Sequence, residues 1–154
     1  MVQNFWLMKS EPETFGLDKL ASLPDQTTMW DGVRNYQARN MLRDDMKRGD
    51  LAFFYHSNCR VPGIVGIVKI VREGYPDPTA QRPESPNYDP ASKPDNPRWY
   101  VVEVKLVRAL ARTITLTELK ADPLLAQMPL VRRGNRLSIM PVSAAQWQHI
   151  IAGE

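Results

Sequence analysis

A mixed α+β domain built on a curved sheet is the fold class this sequence predicts, and three observations predict it. Three long runs rich in β-branched and aromatic residues, at 51–57, 64–71 and 98–109, mark strands. Short helical segments stand between and after them, without the regular strand–helix alternation of a doubly wound parallel sheet. The chain has 154 residues, 43% hydrophobic and 24% charged, which suits one domain with a real core and leaves little room for a second.

Taken in order, residues 2–8 form a bulky run with Phe5, Trp6, Leu7 and Met8, read as a buried strand that ends at the polar Lys9-Ser10-Glu11-Pro12. Leu17, Leu20 and Leu23 recur at a three-residue interval and predict a short amphipathic helix over 14–23, stopped by Pro24. Asn35 is a candidate N-cap for a helix reaching about Met46, with Ala38, Leu42 and Met46 on one face and Arg39 and Arg43 on another. Gly49-Asp50 is a turn into the 51–57 strand. Gly66, inside the next strand, predicts a bulge or a close backbone approach.

Residues 75–97 hold seven of the thirteen prolines, several acids and few apolar side chains. Such a segment cannot fold alone, so it is expected as a long loop over the domain. Beyond the 98–109 strand, Thr115 to Glu118 and Ser143 to Gln146 match the capping box, and Asp122-Pro123 offers an N-cap with proline at N1. Between them, residues 130–140 read as a basic turn feeding a short strand closed by Pro141.

Composition excludes several classes. Cys59 is the only cysteine, so neither an internal disulfide nor a thiolate-rich zinc site can form. No apolar run approaches the roughly 18 residues of a membrane span, and no secretory leader is evident. A reducing, cytoplasmic compartment and a monomer without metal or cofactor are the resulting expectations. Net charge is +3 with a pI near 9.1, which permits an anionic partner without requiring one.

Catalysis finds little material. His149 falls near the chain end, and His56 is flanked by Tyr55 and Ser57 in a strand with Cys59 three residues on. A Cys59–His56 pair is the one conceivable nucleophile and base, in a small-molecule sensor or enzyme. The acids of the proline-rich segment lack calcium-loop spacing. Binding finds more. Residues 30–40, Trp-Asp-Gly-Val-Arg-Asn-Tyr-Gln-Ala-Arg-Asn, combine flat aromatic faces with planar hydrogen-bonding groups suited to base edges and phosphates. Further basic concentrations occur at Lys47-Arg48 and at Arg132, Arg133 and Arg136.

Several motifs in order along nearly the whole chain resemble the EVE domain family: Lys9-Ser10-Glu11-Pro12, the 30–40 stretch, Phe54-Tyr55-His56-Ser57-Asn58, Ser85-Pro86-Asn87-Tyr88-Asp89-Pro90, Pro97-Arg98-Trp99 and Arg136-Leu137-Ser138. The resemblance implies one PUA-like domain over 1–154, a curved, barrel-like β-sheet flanked by short helices. It implies a non-catalytic reader that takes a modified base, a modified cytosine in DNA or else a modified RNA base, into an aromatic and polar pocket. Nuclear members carry a basic N-terminal extension, so the start at residue 1 suggests a bacterial, cytoplasmic form. Asn87 stands where many members have a second tyrosine.

On that reading Trp30 is the stacking face and Tyr36 a second wall or hydroxyl donor. Ser10, Asn35 and Ser57 address the base edge, and Arg34, Arg39 and Arg132 hold flanking phosphates. Lys9, Tyr55, His56 and Leu137 are further candidates for the lining. The rivals are the His56/Cys59 sensor or enzyme in the same concavity and a protein-interaction module that uses the proline-rich loop.

Overall fold

The computed structural model describes residues 3–154. Six strands form one sheet: β1 (Phe5–Ser10), β2 (Thr27–Met29), β3 (Leu51–His56), β4 (Gly63–Pro76), β5 (Tyr100–Thr115) and β6 (Ile139–Val142), in spatial order β2-β5-β4-β3-β1-β6. Among the described strands only β1 and β3 run parallel. Among the described residues the sheet stays open, with β2 and β6 as its edges. Pro141 lies within β6 opposite Trp6. An edge strand tolerates it, because one row of N–H groups has no ladder partner to lose.

Alternation along the strands divides the interior in two. Trp6, Met8, Ala52, Phe54, Val68 and Val102 face one core, which also takes Leu17, Leu20, Trp30, Leu42 and Met46. Leu7, Phe53, Tyr55, Ile64 and Ile67 face the other, which also takes Trp147 and Ile150. The two-residue side-chain period makes both faces apolar, as a sheet covered on both sides requires.

The long pair β4–β5 shifts register between Ile64 and Gly66, Ile67 and Val68, Ile70 and Arg72, and Arg72 and Tyr75. Bulges of this kind bend and twist a strand, and here they curl the sheet. Gly66 sits at one of them, and a Cβ there would meet Leu17 Cδ1 at 2.9 Å. The expected close approach is that of Leu17.

Between β1 and β3 the chain crosses to the far edge of the sheet and returns. It passes through α1 (Pro12–Phe15), α2 (Leu17–Ser22), β2 and α3 (Tyr36–Asn40). The helix expected over 14–23 breaks at Gly16 into α1 and α2. Asn35 caps α3 as expected, its side-chain oxygen accepting the Ala38 N–H at 3.0 Å. After Asn40 the helix widens into one π turn, Met41–Asp45, closed by the Met46 N–H on Met41 O. Ala38, Leu42 and Met46 are nonetheless all buried, so the anticipated core face survives the change of pitch.

The proline-rich segment is an ordered loop. Asp77, Thr79, Ala80 and Ser92 are buried in it, as is Trp99 just after it. The Trp99 indole N–H donates to Asp89 at 2.7 Å, and the Ser92 hydroxyl oxygen accepts the Arg98 N–H at 3.0 Å. The following strand runs to Thr115, six residues past its expected end. Arg108 and Arg112 pair with Glu154 and Glu118 along its exposed side. The remaining helices are α4 (Leu116–Ala121) and α5 (Ala144–Ala152), each started by its capping box, while Asp122 caps a 3-10 turn at Pro123–Leu125.

Candidate functional site

Ser10 closes β1 and Trp30 follows β2, and these two strands stand four places apart in the sheet. On a flat sheet that would separate them by roughly 19 Å at about 4.8 Å per strand. Here the ends of both line one cavity of about 520 Å³. The sheet therefore curls around its first core, and the cavity occupies the open mouth. Its volume falls within the range of about 300–1,000 Å³ common to small-ligand sites.

One side of the cavity is Lys9, Ser10, Glu11, Thr14 and Phe15; the other is residues 28–34; Pro86 and Asn87 of the proline-rich loop and Ser138 complete the rim. Local chemistry fixes each part. The Ser10 hydroxyl donates to Phe15 O at 2.5 Å, closing the turn from β1 into α1. The Trp30 N–H extends the β2–β5 ladder to Val102 O at 2.8 Å, and its ring stands edge-on to Phe54 with centroids 5.5 Å apart. Ser138 joins β1 by accepting the Lys9 N–H at 2.8 Å.

Gly32 turns the chain after Asp31 with φ +79°, a conformation that glycine adopts without penalty. Its N–H donates to Asp77 Oδ2 at 3.1 Å, and Arg34 Nη1 reaches the same oxygen at 3.1 Å. The Thr79 N–H and hydroxyl take Asp77 Oδ1 at 2.8 and 2.5 Å. Burial opposes ionisation of Asp77, but the hydrogen bonds from Thr79, Gly32 and Arg34 outweigh it and hold the carboxyl below its ordinary range. Arg34 Nη2 further donates to Asn87 O at 2.7 Å. The 30–34 stretch and the proline-rich loop are thus one unit.

The structure brings together only part of what the sequence nominated. Ser10, Trp30, Arg34 and Lys9 line the cavity. Trp30 is only 7% exposed, so it presents a strip of its indole rather than an open face. Its ring N–H has no acceptor among the described residues, unlike those of Trp6 and Trp99, which donate to Asp50 and Asp89. No fully buried side-chain nitrogen or oxygen there lacks a partner, so the Trp30 N–H reaches solvent. Burial lowers the Lys9 pKa.

The other nominations are engaged elsewhere, lie outside the cavity, or stand on the surface. Arg34 lines the wall, but its guanidinium is committed to Asp77 and Asn87 and is not free for a phosphate. Asn35 spends its side-chain oxygen on the α3 cap. Tyr36 lies outside the cavity, 51% exposed, stacked on Trp99 at 4.9 Å with Arg39 over its ring. Ser57 is also outside, its N–H bonded to Ser10 O.

Tyr55 belongs to the second core, across the sheet, because strand alternation sends it to the opposite face from Phe54, and Leu137, ahead of β6, packs half-buried against that same core. Burial pushes the Tyr55 phenol up to about 12. His56 accepts the Leu17 N–H on Nε2 at 3.1 Å, capping α2, and makes no hydrogen bond to Cys59. Neither His56 nor Cys59 lines the cavity, so the sensor or enzyme reading loses the shared site it required. Arg39 is half-buried and donates to Arg98 O and Asn40. Arg132 is exposed on the basic turn that leads to Ser138.

Sequence reasoning missed Asp31, Phe15, Asn87 and Ser138 as lining residues. Asp31 lay inside the nominated stretch, and its charge beside Trp30 was the available signal. The others arrive through chain crossings that no local pattern announces.

Comparison with known proteins gives consistent matches. The EVE domain family matches residues 4–153. Thymocyte nuclear protein 1 of Rattus norvegicus is 47% identical over 171 residues, covering 99% of this chain and 74% of that protein. Human THYN1 protein, solved in complex with 5-methylcytosine-containing DNA, superimposes with a TM-score of 0.93 at 47% identity, covering 97% of this chain and 96% of that one. A Pseudomonas syringae protein of known structure is 48% identical with a TM-score of 0.91, covering 96% and 97%.

Proposed function

The chain belongs to the EVE domain family, and from that premise we propose that it is a non-catalytic DNA reader whose cavity receives a modified cytosine turned out of the duplex. The observation that carries this reading is the cavity itself. Trp30 and Phe15 give it an aromatic wall, and Ser10, Asp31 and Asn87 place polar groups at the same opening. Human THYN1, bound to 5-methylcytosine-containing DNA in its own structure, supports DNA as the partner.

Energetics say what the cavity has to supply. Turning a base out costs a few kcal/mol, and stacking on an aromatic returns about 1–3 kcal/mol. Hydrogen bonds to the base edge must make up the difference. A single buried methyl contributes about 0.8 kcal/mol, roughly fourfold in affinity. Selectivity for the modification therefore depends on how closely Phe15, Met29, Val33 and Pro86 exclude water around that methyl. Affinity for the duplex backbone comes from elsewhere, from Arg132, Arg133 and Arg136, which are exposed and unpaired among the described residues on the turn before Ser138.

The test is titration of wild type and Trp30→Ala against duplexes with and without a single 5-methylcytosine. Wild type is expected to favour the modified duplex, and Trp30→Ala to bind both alike. If Trp30→Ala keeps the wild-type preference, the base does not enter this cavity.

A further inference from the structure

Asp31 differs from every other carboxylate near the cavity. Asp77 is saturated by four donors, from Gly32, Arg34 and Thr79. Glu11 takes the Asn58 amide at 3.2 Å. Asp31 lines the cavity next to Trp30, and among the described residues its one side-chain hydrogen bond is from the Asn87 amide to Oδ2 at the long distance of 3.4 Å. It forms no ion pair among the described residues. An ionised carboxylate has about four acceptor positions, so most of its capacity is unused.

Its backbone is nevertheless fixed. Trp30 before it is held by Val102 O, and Gly32 after it by Asp77. Partial desolvation, then the charge of Asp77, raises its carboxyl above the ordinary range, against smaller opposing effects from its own backbone N–H, Arg34 and Arg82.

We propose that Asp31 selects the base by its exocyclic amine: its carboxylate accepts an N–H of the 4-amino group of cytosine, so the cavity admits cytosine and 5-methylcytosine and rejects thymine. Thymine makes the comparison decisive, since it carries the same 5-methyl group but presents a carbonyl oxygen where cytosine has the amine. That oxygen facing a carboxylate leaves two acceptors opposed and both unpaired, and a site built for a donor rejects such an analogue strongly. The inference rests on the reading of the cavity as a base pocket, and it adds which pyrimidine the pocket takes.

The experiment places 5-methylcytosine, cytosine or thymine opposite an abasic site, so that no partner base biases the release of the test base. Wild type should bind the 5-methylcytosine duplex at least about tenfold more tightly than the thymine duplex. Asp31→Asn, whose amide can donate to the thymine oxygen, should erase or invert that ratio. Asp31→Ala should lose the preference without gaining affinity for thymine, and Trp30→Ala should level all three duplexes. If Asp31→Asn and Asp31→Ala keep the wild-type ratio while Trp30→Ala levels the series, the assignment of Asp31 is overturned and the pocket stands. If wild type itself binds all three duplexes alike, the pocket reading fails and takes the assignment with it.

Discussion

Arg34 Nη1 lies 3.1 Å from Oδ2 of the fully buried Asp77 carboxylate, and this contact fastens the stretch that forms one wall of the cavity to the loop that forms its rim. The same oxygen receives the Gly32 N–H, so a single carboxylate sets both the turn after Asp31 and the position of Asn87 above it. An arginine that looks like a phosphate ligand in sequence is a structural tie here.

Asp77→Ala should therefore destabilise the fold by about 3 kcal/mol, because it leaves a partly buried guanidinium without its anion and three further donors without an acceptor. Urea unfolding checks this. Since the folded Asp77 carboxyl is held below its ordinary range, its contribution is present above the usual carboxylate pKa and is lost as the pH falls through the folded value. The wild-type advantage over the variant should shrink in strong acid.

Gly32→Ala tests the turn separately. With φ +79°, an alanine there costs about 1–2 kcal/mol in backbone strain, and its Cβ would come within 3.0 Å of Asn87 Oδ1. Lower thermal stability together with a weaker preference for the modified duplex is expected, because the clash pushes on the rim.

Tyr36→Ala should behave differently. The ring stacks on Trp99 outside the cavity, so its loss should cost about 1 kcal/mol of stability and leave the ratio of modified to unmodified binding unchanged. A changed ratio in the duplex titration would return Tyr36 to the pocket.

Arg132→Ala combined with Arg133→Ala should weaken binding to modified and unmodified duplexes equally. The slope of log affinity against log salt should fall by about 0.9 for each phosphate contact removed. An unchanged slope would place the backbone contacts elsewhere.

His56 gives a pH prediction. Burial lowers its pKa from the ordinary 6.5, against a smaller opposing effect from Asp18, and its Nε2 must stay unprotonated to accept the Leu17 N–H. A lowered folded pKa means the unfolded chain binds the proton more readily, so stability is present above 6.5 and is lost as the pH falls through that range. Thermal melts at about pH 7.5 and about pH 5.5 should show a larger drop for wild type than for His56→Gln.

What the sequence made legible was local. Capping boxes at Thr115 and Ser143, the Asn35 cap and the buried face of Ala38, Leu42 and Met46 all follow from residues within one or two helical turns of each other. The glycine inside β4 signalled a close approach, but not its partner Leu17, which lies 49 positions away. Asn87 over Gly32 and Asp77 on Arg34 were not legible, because 55 and 43 positions separate the partners and only the curl of the bulged sheet brings them together. Proline content concealed the order of the loop, which rests on single hydrogen bonds from Trp99, Gln81 and Arg98 rather than on an apolar pattern. Residues nominated from both faces of one strand, such as Tyr55 and His56 of β3, could not all meet in one cavity, since alternation forbids it.

The most direct test of a base entering the cavity is the indole N–H resonance of Trp30, which has no acceptor among the described residues, followed by NMR as a 5-methylcytosine duplex is added. The account predicts a large shift for Trp30 while Trp6, bonded to Asp50, and Trp147, stacked between Phe5 and Phe53 in the second core, stay in place. A saturating duplex that moves other resonances and leaves Trp30 where it was would contradict it.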